Sequence, residues 1–182
     1  MALKATVYKA ELSISDMDRH YYATHALTLA QHPSETAARV MVRVLAFALY
    51  ARDGLEFGRG LSSEDEADLW ARSLTGELEL WIYLGQPEES RIRKACGRAR
   101  KVILIGYSGR SFAIWWEKMA STLARCDNLT VIELGDGVAE QLETLIARSM
   151  RLQCLIQDGE LQLLSDTLNV AVVPILRQQG RA

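Results

Sequence analysis

Glu79 and Asp68, with a run of cations between residues 91 and 101, are the residue types from which phosphate chemistry would be assembled. In the alternating stretch Glu77 to Gly85, Glu77, Glu79, Trp81 and Tyr83 project from one face of a predicted strand, and Leu78, Leu80, Ile82 and Leu84 from the other. With Asp68 brought alongside by a hairpin, Glu79 would complete a pair of hard oxygen ligands for Mg²⁺, which activates water and stabilises charge on a phosphate. Acids on one strand face are also what any exposed sheet displays. Among the cations Arg91, Arg93, Lys94, Arg98, Arg100 and Lys101, the three at Arg91, Lys94 and Arg98 share one helical stripe and would hold a phosphate backbone. The plain alternative is a solvated helix face, its cations paired with Glu88 or Glu89 and facing the C-terminal end of the helix dipole.

Other reactive residue types have ordinary readings. Cys96, Cys126 and Cys154 are far apart, odd in number and without zinc-site spacing, and Cys96 falls on the apolar face of its helix as a small buried thiol. His20, His25 and His32 lack the i, i+4 spacing of a helical metal pair and read as surface or capping residues. Trp115 and Trp116 read as core packing. Gly106, Gly109, Gly135 and Gly137 form no phosphate-binding fingerprint, which leaves nucleotide-cofactor chemistry unsupported.

The elements that would position these residues alternate between helix and strand. Strand periodicity runs from Leu3 through Ile14, and a helix is predicted from Arg19 to Gln31, ended by His32-Pro33. Ser34 would cap a second helix, Glu35 to Ala51, with Val40, Met41, Val44, Leu45, Ala48 and Leu49 on its apolar face and Glu35, Arg39 and Arg43 on another. After a short strand at Leu55 to Phe57 and the acidic loop Ser63-Glu64-Asp65-Glu66 comes the Glu77 strand. A helix from Pro87 to about Arg100 and a buried strand from Val102 follow. Helices at 110–125 and 137–150 flank a strand at Leu129 to Leu134. A hairpin of Leu152 to Ile156 with Leu161 to Leu164 then turns at Asp158-Gly159. This order predicts an α/β fold, a central mixed sheet flanked by helices with antiparallel additions at its edges.

The chain of 182 residues, 49% hydrophobic, has no composition break that would mark a linker, so one domain over residues 1–182 is expected. A formal net charge of -2 excludes a global field that draws it onto DNA or anionic membrane, so nucleic-acid binding would need a local patch. No apolar run approaches the roughly 20 residues of a membrane span. The first residues lack a signal-peptide core, and cysteine usage fits a reducing cytoplasm.

The segments MALKATVYKAEL, LAQHPSETAARVMVRVLAFALYA, LWIYLGQPEESRIRKACGRA and LQCLIQDGELQLLSD together resemble the YaeQ family of small bacterial proteins across almost the whole chain. The resemblance implies a variant of the restriction-endonuclease-like PD-(D/E)XK fold, with metal-binding carboxylates on neighbouring strands. It gives Asp68, in Glu66-Ala67-Asp68, the aspartate role of the Pro-Asp motif, with alanine in place of proline. Glu79 becomes the second carboxylate, Lys94 the displaced lysine and Glu35 a third acid. Position 83, often acidic in such sequences, is Tyr83, and Trp81 stands where a lysine would follow Glu79. Two functions are therefore expected in competition. One is a Mg²⁺-dependent phosphodiesterase acting on DNA or RNA, its ion bound weakly by Asp68 and Glu79. The other is a non-catalytic nucleic-acid-binding or protein-interaction module on a degenerate nuclease scaffold.

Overall fold

The computed structural model describes residues 4–59 and 65–181. Leu3, the expected start of the first strand, and Ser63 and Glu64 of the acidic loop lie outside them. In chain order the elements are β1 (Thr6–Asp16), β2 (Tyr21–Gln31), α1 (Ala37–Tyr50), β3 (Leu55–Phe57), β4 (Leu69–Arg72) and β5 (Leu78–Leu84). Then come α2 (Glu89–Arg98), β6 (Lys101–Gly106), α3 (Arg110–Leu123), β7 (Leu129–Glu133) and α4 (Val138–Glu143). The last four strands are β8 (Ser149–Gln157), β9 (Glu160–Leu164), β10 (Asn169–Val172) and β11 (Ile175–Gln178). The class is mixed α/β as expected, but the strands divide between two mixed sheets instead of forming one central sheet. Two compact units result: residues 1–49 with 138–174, and residues 50–137 with 175–182.

The first unit carries the sheet β10-β9-β8-β1-β2, in which β1 runs parallel to β8 and the other pairs are antiparallel. Its second strand replaces the helix predicted from Arg19. In β2, Leu27 and Leu29 are buried while Tyr22, Thr24, Ala26 and Thr28 are exposed, a period of two that the many alanines obscure in the sequence. Pairing with β1, from Asp16 opposite Tyr21 to Thr6 opposite Gln31, supplies the partner that local propensity cannot report. His25 is correspondingly half-buried on this strand: its ring meets Phe47 edge-on at 5.0 Å and its Nε2 lies 2.7 Å from the Tyr21 hydroxyl.

The helix predicted over 35–51 forms as α1, but Thr36 caps it in place of Ser34, its Oγ1 accepting from Arg39 N at 3.1 Å. Every residue from Arg39 to Ala48 is buried, so the expected polar face does not exist. At the other end of the unit α4 stops at Glu143, and Ser149 already opens β8, whose Met150, Leu152, Cys154 and Ile156 alternate into the core. The predicted hairpin turns at Asp158-Gly159, with φ of 53° and 75°, the left-handed pair a two-residue turn requires. Asp18 locks that turn by accepting from the N–H groups of Asp158 at 2.7 Å and Gly159 at 2.9 Å.

The second unit carries the sheet β11-β7-β6-β5-β4-β3. Here β5, β6 and β7 are parallel, joined by α2 and α3, and β3, β4 and β11 add antiparallel edges. Its core gathers Trp81, Tyr83, Ile92, Ala95, Val102, Leu104, Phe112, Leu123, Leu129 and Val131, with Trp115 and Trp116 packed against it as expected. Gly106 ends β6 where a side chain would collide with the buried Phe112 ring, 2.3 Å from a Cβ built there. Gly106→Ala is therefore expected to destabilise the protein by about 1–3 kcal/mol through overpacking. By contrast Gly97→Ala, in open space on α2, is expected to be neutral or to stabilise by up to about 1 kcal/mol. Urea unfolding of the two variants beside the parent measures both.

Candidate functional site

The β4–β5 pairing decides where the predicted acids stand. Leu69 faces Ile82, Trp70 faces Trp81 and Ala71 faces Leu80, but Arg72 faces Leu78, so Glu79 is the extra residue of a bulge. Leu78 consequently packs on the same core as Trp81 and Tyr83, and strict alternation along the strand fails at Glu79. Its carboxylate is ion-paired with Arg52. Asp68 stands at the opposite end of the pairing, just before β4, where its buried Oδ2 accepts from Leu84 N at 2.8 Å. Leu84 is five positions from Glu79, on the order of 15 Å of strand at the usual rise per residue.

The two carboxylates thus do not converge, and they do not fit a single Mg²⁺ held between them. Among the described residues no group of three or more His, Cys, Asp or Glu is arranged to hold a metal ion. Glu35 is equally committed elsewhere. Buried in the first unit, it accepts from Arg39 Nη1 at 2.8 Å and from Arg43 Nε and Nη2 at 3.0 and 2.8 Å. Arg43 also donates to Ala30 O at 2.9 Å, tying α1 to β2. A carboxylate clamped by two guanidinium groups is committed to holding the fold.

The three stripe cations do share a site. Arg91, Lys94 and Arg98 line one cleft of about 510 Å³ in the second unit, together with Asp65, Trp81, Tyr83, Gln86, Pro87, Glu88, Ser90 and Ala95. Helix α2 can present them because Ile92 and Ala95, on the neighbouring stripe, are buried against the core. Pro87 lies just before the helix, Glu89 in its first turn and Arg98 in its last, the charge order that suits the dipole. At the C-terminal end Asn128 Nδ2 donates to the carbonyls of Cys96 at 3.0 Å and Ala99 at 2.9 Å, satisfying groups the helix leaves open.

Beneath the helix the cations lie on aromatic rings: Arg98 is 5.0 Å from the Trp81 ring centroid and Arg91 5.4 Å from that of Tyr83. Trp81 is 1% exposed, yet its Nε1 has no hydrogen-bond partner among the described residues, lying near the Tyr83 hydroxyl without ordinary bonding geometry. Burial pushes the Tyr83 phenol above its usual pKa against the opposing pull of Arg91, so Tyr83 stays neutral and is no substitute for the missing acid. Lys94 Nζ pairs with Asp65 Oδ1 at 3.1 Å, and Arg98 Nη1 donates to Asp65 O at 3.3 Å. Gln86 spans to Ser108 and Ser111 at 2.8 and 3.1 Å, fixing the loop after β5 against the start of α3. Sequence reasoning passed over Gln86 and Ser90 as cleft residues; their only signal is that they flank the basic stripe in the segment GQPEESRIRK.

Fold and site together define a mixed α/β protein with a cation-lined cleft over a buried aromatic strand. The chain belongs to the YaeQ family, whose model, described as YaeQ protein, matches residues 1–174. It is 48% identical over 169 residues to the uncharacterized protein YaeQ of Salmonella typhi, covering 93% of each chain. With the uncharacterized protein YaeQ of Escherichia coli K12 it shares 44% over 172 residues, 94% of this chain and 95% of the relative. The crystal structure of a YaeQ protein from Xanthomonas axonopodis pv. citri matches with a TM-score of 0.93 at 59% identity, covering 96% of this chain and 98% of that one. The structure of a YaeQ protein from Pseudomonas syringae matches with a TM-score of 0.92 at 31% identity, covering 98% of both.

Removing the carboxylate at Glu35 would take the counter-charge from two buried guanidinium groups. Glu35→Ala is expected to cost about 3–5 kcal/mol of stability. Chemical denaturation checks this, and a loss below about 1 kcal/mol would mean that the cluster is solvated as an ordinary surface pair is.

Proposed function

We propose that the protein binds nucleic acid through the α2 cleft without cleaving it, on a degenerate scaffold of the PD-(D/E)XK type. The observation that carries this reading is the set Arg91, Lys94 and Arg98 on one helix face, lining a single cleft with the hydroxyl of Ser90 and the buried indole N–H of Trp81. Guanidinium and ammonium donors in that arrangement suit the oxygens of a phosphodiester. Asp65 occupies Lys94 only through an exposed pair, worth about 0–1 kcal/mol, which a phosphate can displace. The degenerate nuclease plan draws its support from the mixed sheet of the second unit and from Asp68 entering β4 beside β5. The separation of Asp68 from Glu79, and the neutral phenol at Tyr83, favour binding over Mg²⁺-dependent hydrolysis. A nucleic-acid partner is in keeping with a place in the cytoplasm and requires no membrane.

Three phosphate contacts would make binding strongly salt-dependent, log K falling with log salt at a slope of about −2 to −3. The triple variant Arg91→Ala, Lys94→Ala, Arg98→Ala is expected to lose most of the affinity for single- and double-stranded DNA and RNA and to flatten that slope. Fluorescence anisotropy at several salt concentrations measures it. A charge-matched control, Arg110→Ala, Lys118→Ala, Arg125→Ala, is expected to bind as the parent does; equal loss in the control would defeat the assignment to the cleft.

In parallel, the same oligonucleotides with Mg²⁺, Mn²⁺ or EDTA are expected to remain intact. Metal-dependent cleavage abolished by Asp68→Ala would overturn the binding-only reading and restore the phosphodiesterase.

A further inference from the structure

We propose that Cys96 and Cys126 are a dithiol that a peroxide closes to an intramolecular disulfide, tying the last turn of α2 to the connection between α3 and β7. This does not depend on the nucleic-acid reading. The two cysteines, 30 positions apart in the sequence, line one surface hollow of about 410 Å³ with Arg93, Gly97, Arg125, Asp127 and Asn128. Both are half-buried and both pack against the core of the second unit.

The backbone around each is held toward the other. Cys126 sits in a tight turn, its N–H donating to Leu123 O at 3.0 Å and its carbonyl accepting from Leu129 N at 3.2 Å. Asn128, two residues on, reaches across to the Cys96 carbonyl itself. The third thiol offers an internal contrast, since Cys154 is fully buried on β8 in the first unit. Burial, with the adjacent Cys126 as the next cause, pushes the Cys96 thiol up to about 12. Cys96 therefore keeps its proton near neutral pH, and we take Cys126 as the sulfur that peroxide oxidises first.

The chemistry balances with hydrogen peroxide as oxidant. One peroxide oxygen is transferred to the Cys126 sulfur, giving a sulfenic acid and releasing the other oxygen as water. The Cys96 sulfur then attacks the sulfenic sulfur, the S–S bond forms as S–O breaks, and the departing hydroxide leaves as water with the Cys96 proton. Two thiols and one peroxide become one disulfide and two waters.

The test treats the native full-length chain with hydrogen peroxide, blocks remaining thiols with N-ethylmaleimide under denaturing conditions, and maps the digest by mass spectrometry. Cys96 and Cys126 are expected to lose alkylation together, joined in one dithiothreitol-sensitive linked peptide, with Cys154 still alkylated. The oxidised protein is expected to melt roughly 5–10 °C higher than the reduced one, from the loop the link closes. In Cys96→Ser the sulfenic acid at Cys126 is expected to persist and to be trapped by dimedone; in Cys126→Ser no linked peptide forms. All three thiols remaining alkylatable, a link through Cys154, a link between two chains, or separate over-oxidation of Cys96 and Cys126 would each overturn the proposal. The peptide map of the parent protein decides it even if a variant fails to fold.

Discussion

The laying of a basic helix on an aromatic strand is the interaction from which the second unit takes its form. Trp81 and Tyr83 on β5 are large, buried and in edge-on contact with one another, and Trp70 on β4 meets Trp81 in the same way. Rings at these positions present no carboxylate to a hydrated cation. They accept in its place the flat guanidinium groups of Arg91 and Arg98, whose charge favours a ring face and whose stems add apolar contact. The helix that carries those groups must then cross β5 with its Ile92 and Ala95 side down, and the cleft is what lies along its edge.

Several weaker devices keep α2 in that position. Gln86 anchors its entry to Ser108 and Ser111, and Asn128 closes its exit onto the backbone carbonyls of Cys96, Ala99 and Arg100. The parallel strands β5, β6 and β7 give the framework its rigidity, since each pair is bridged by a helix whose apolar side is buried between sheet and solvent. The neighbouring thiols of Cys96 and Cys126 lie at the same exit as Asn128, so the helix end is the point at which both hydrogen bonding and covalent chemistry meet.

In the first unit a different constraint dominates. A helix buried from Arg39 to Ala48 cannot hold two arginines unless their charge is met at once, and Glu35 meets both. An isolated buried charge costs several kcal/mol, so the three residues stand or fall together. What looks in the sequence like the polar face of an amphipathic helix is an internal ion cluster, and the acid that the nuclease plan would enlist belongs to that cluster.

Much was settled by the sequence alone: the mixed α/β class, the family, the strands β5, β6 and β7 with their intervening helices, the Asp158-Gly159 hairpin and the common stripe of Arg91, Lys94 and Arg98. These depend on short-range periodicity and turn chemistry, which neighbouring residues determine between themselves. Tertiary structure decided the rest. Strand β2 needed β1 to override its alanines, and β8 needed β1 to end α4 early. The bulge at Glu79 depends on the register of β4, which is a property of two strands and invisible in either. The same register sets Asp68 beside Leu84 and leaves Glu79 five positions away along β5, and that is why the two carboxylates stand apart along the strand.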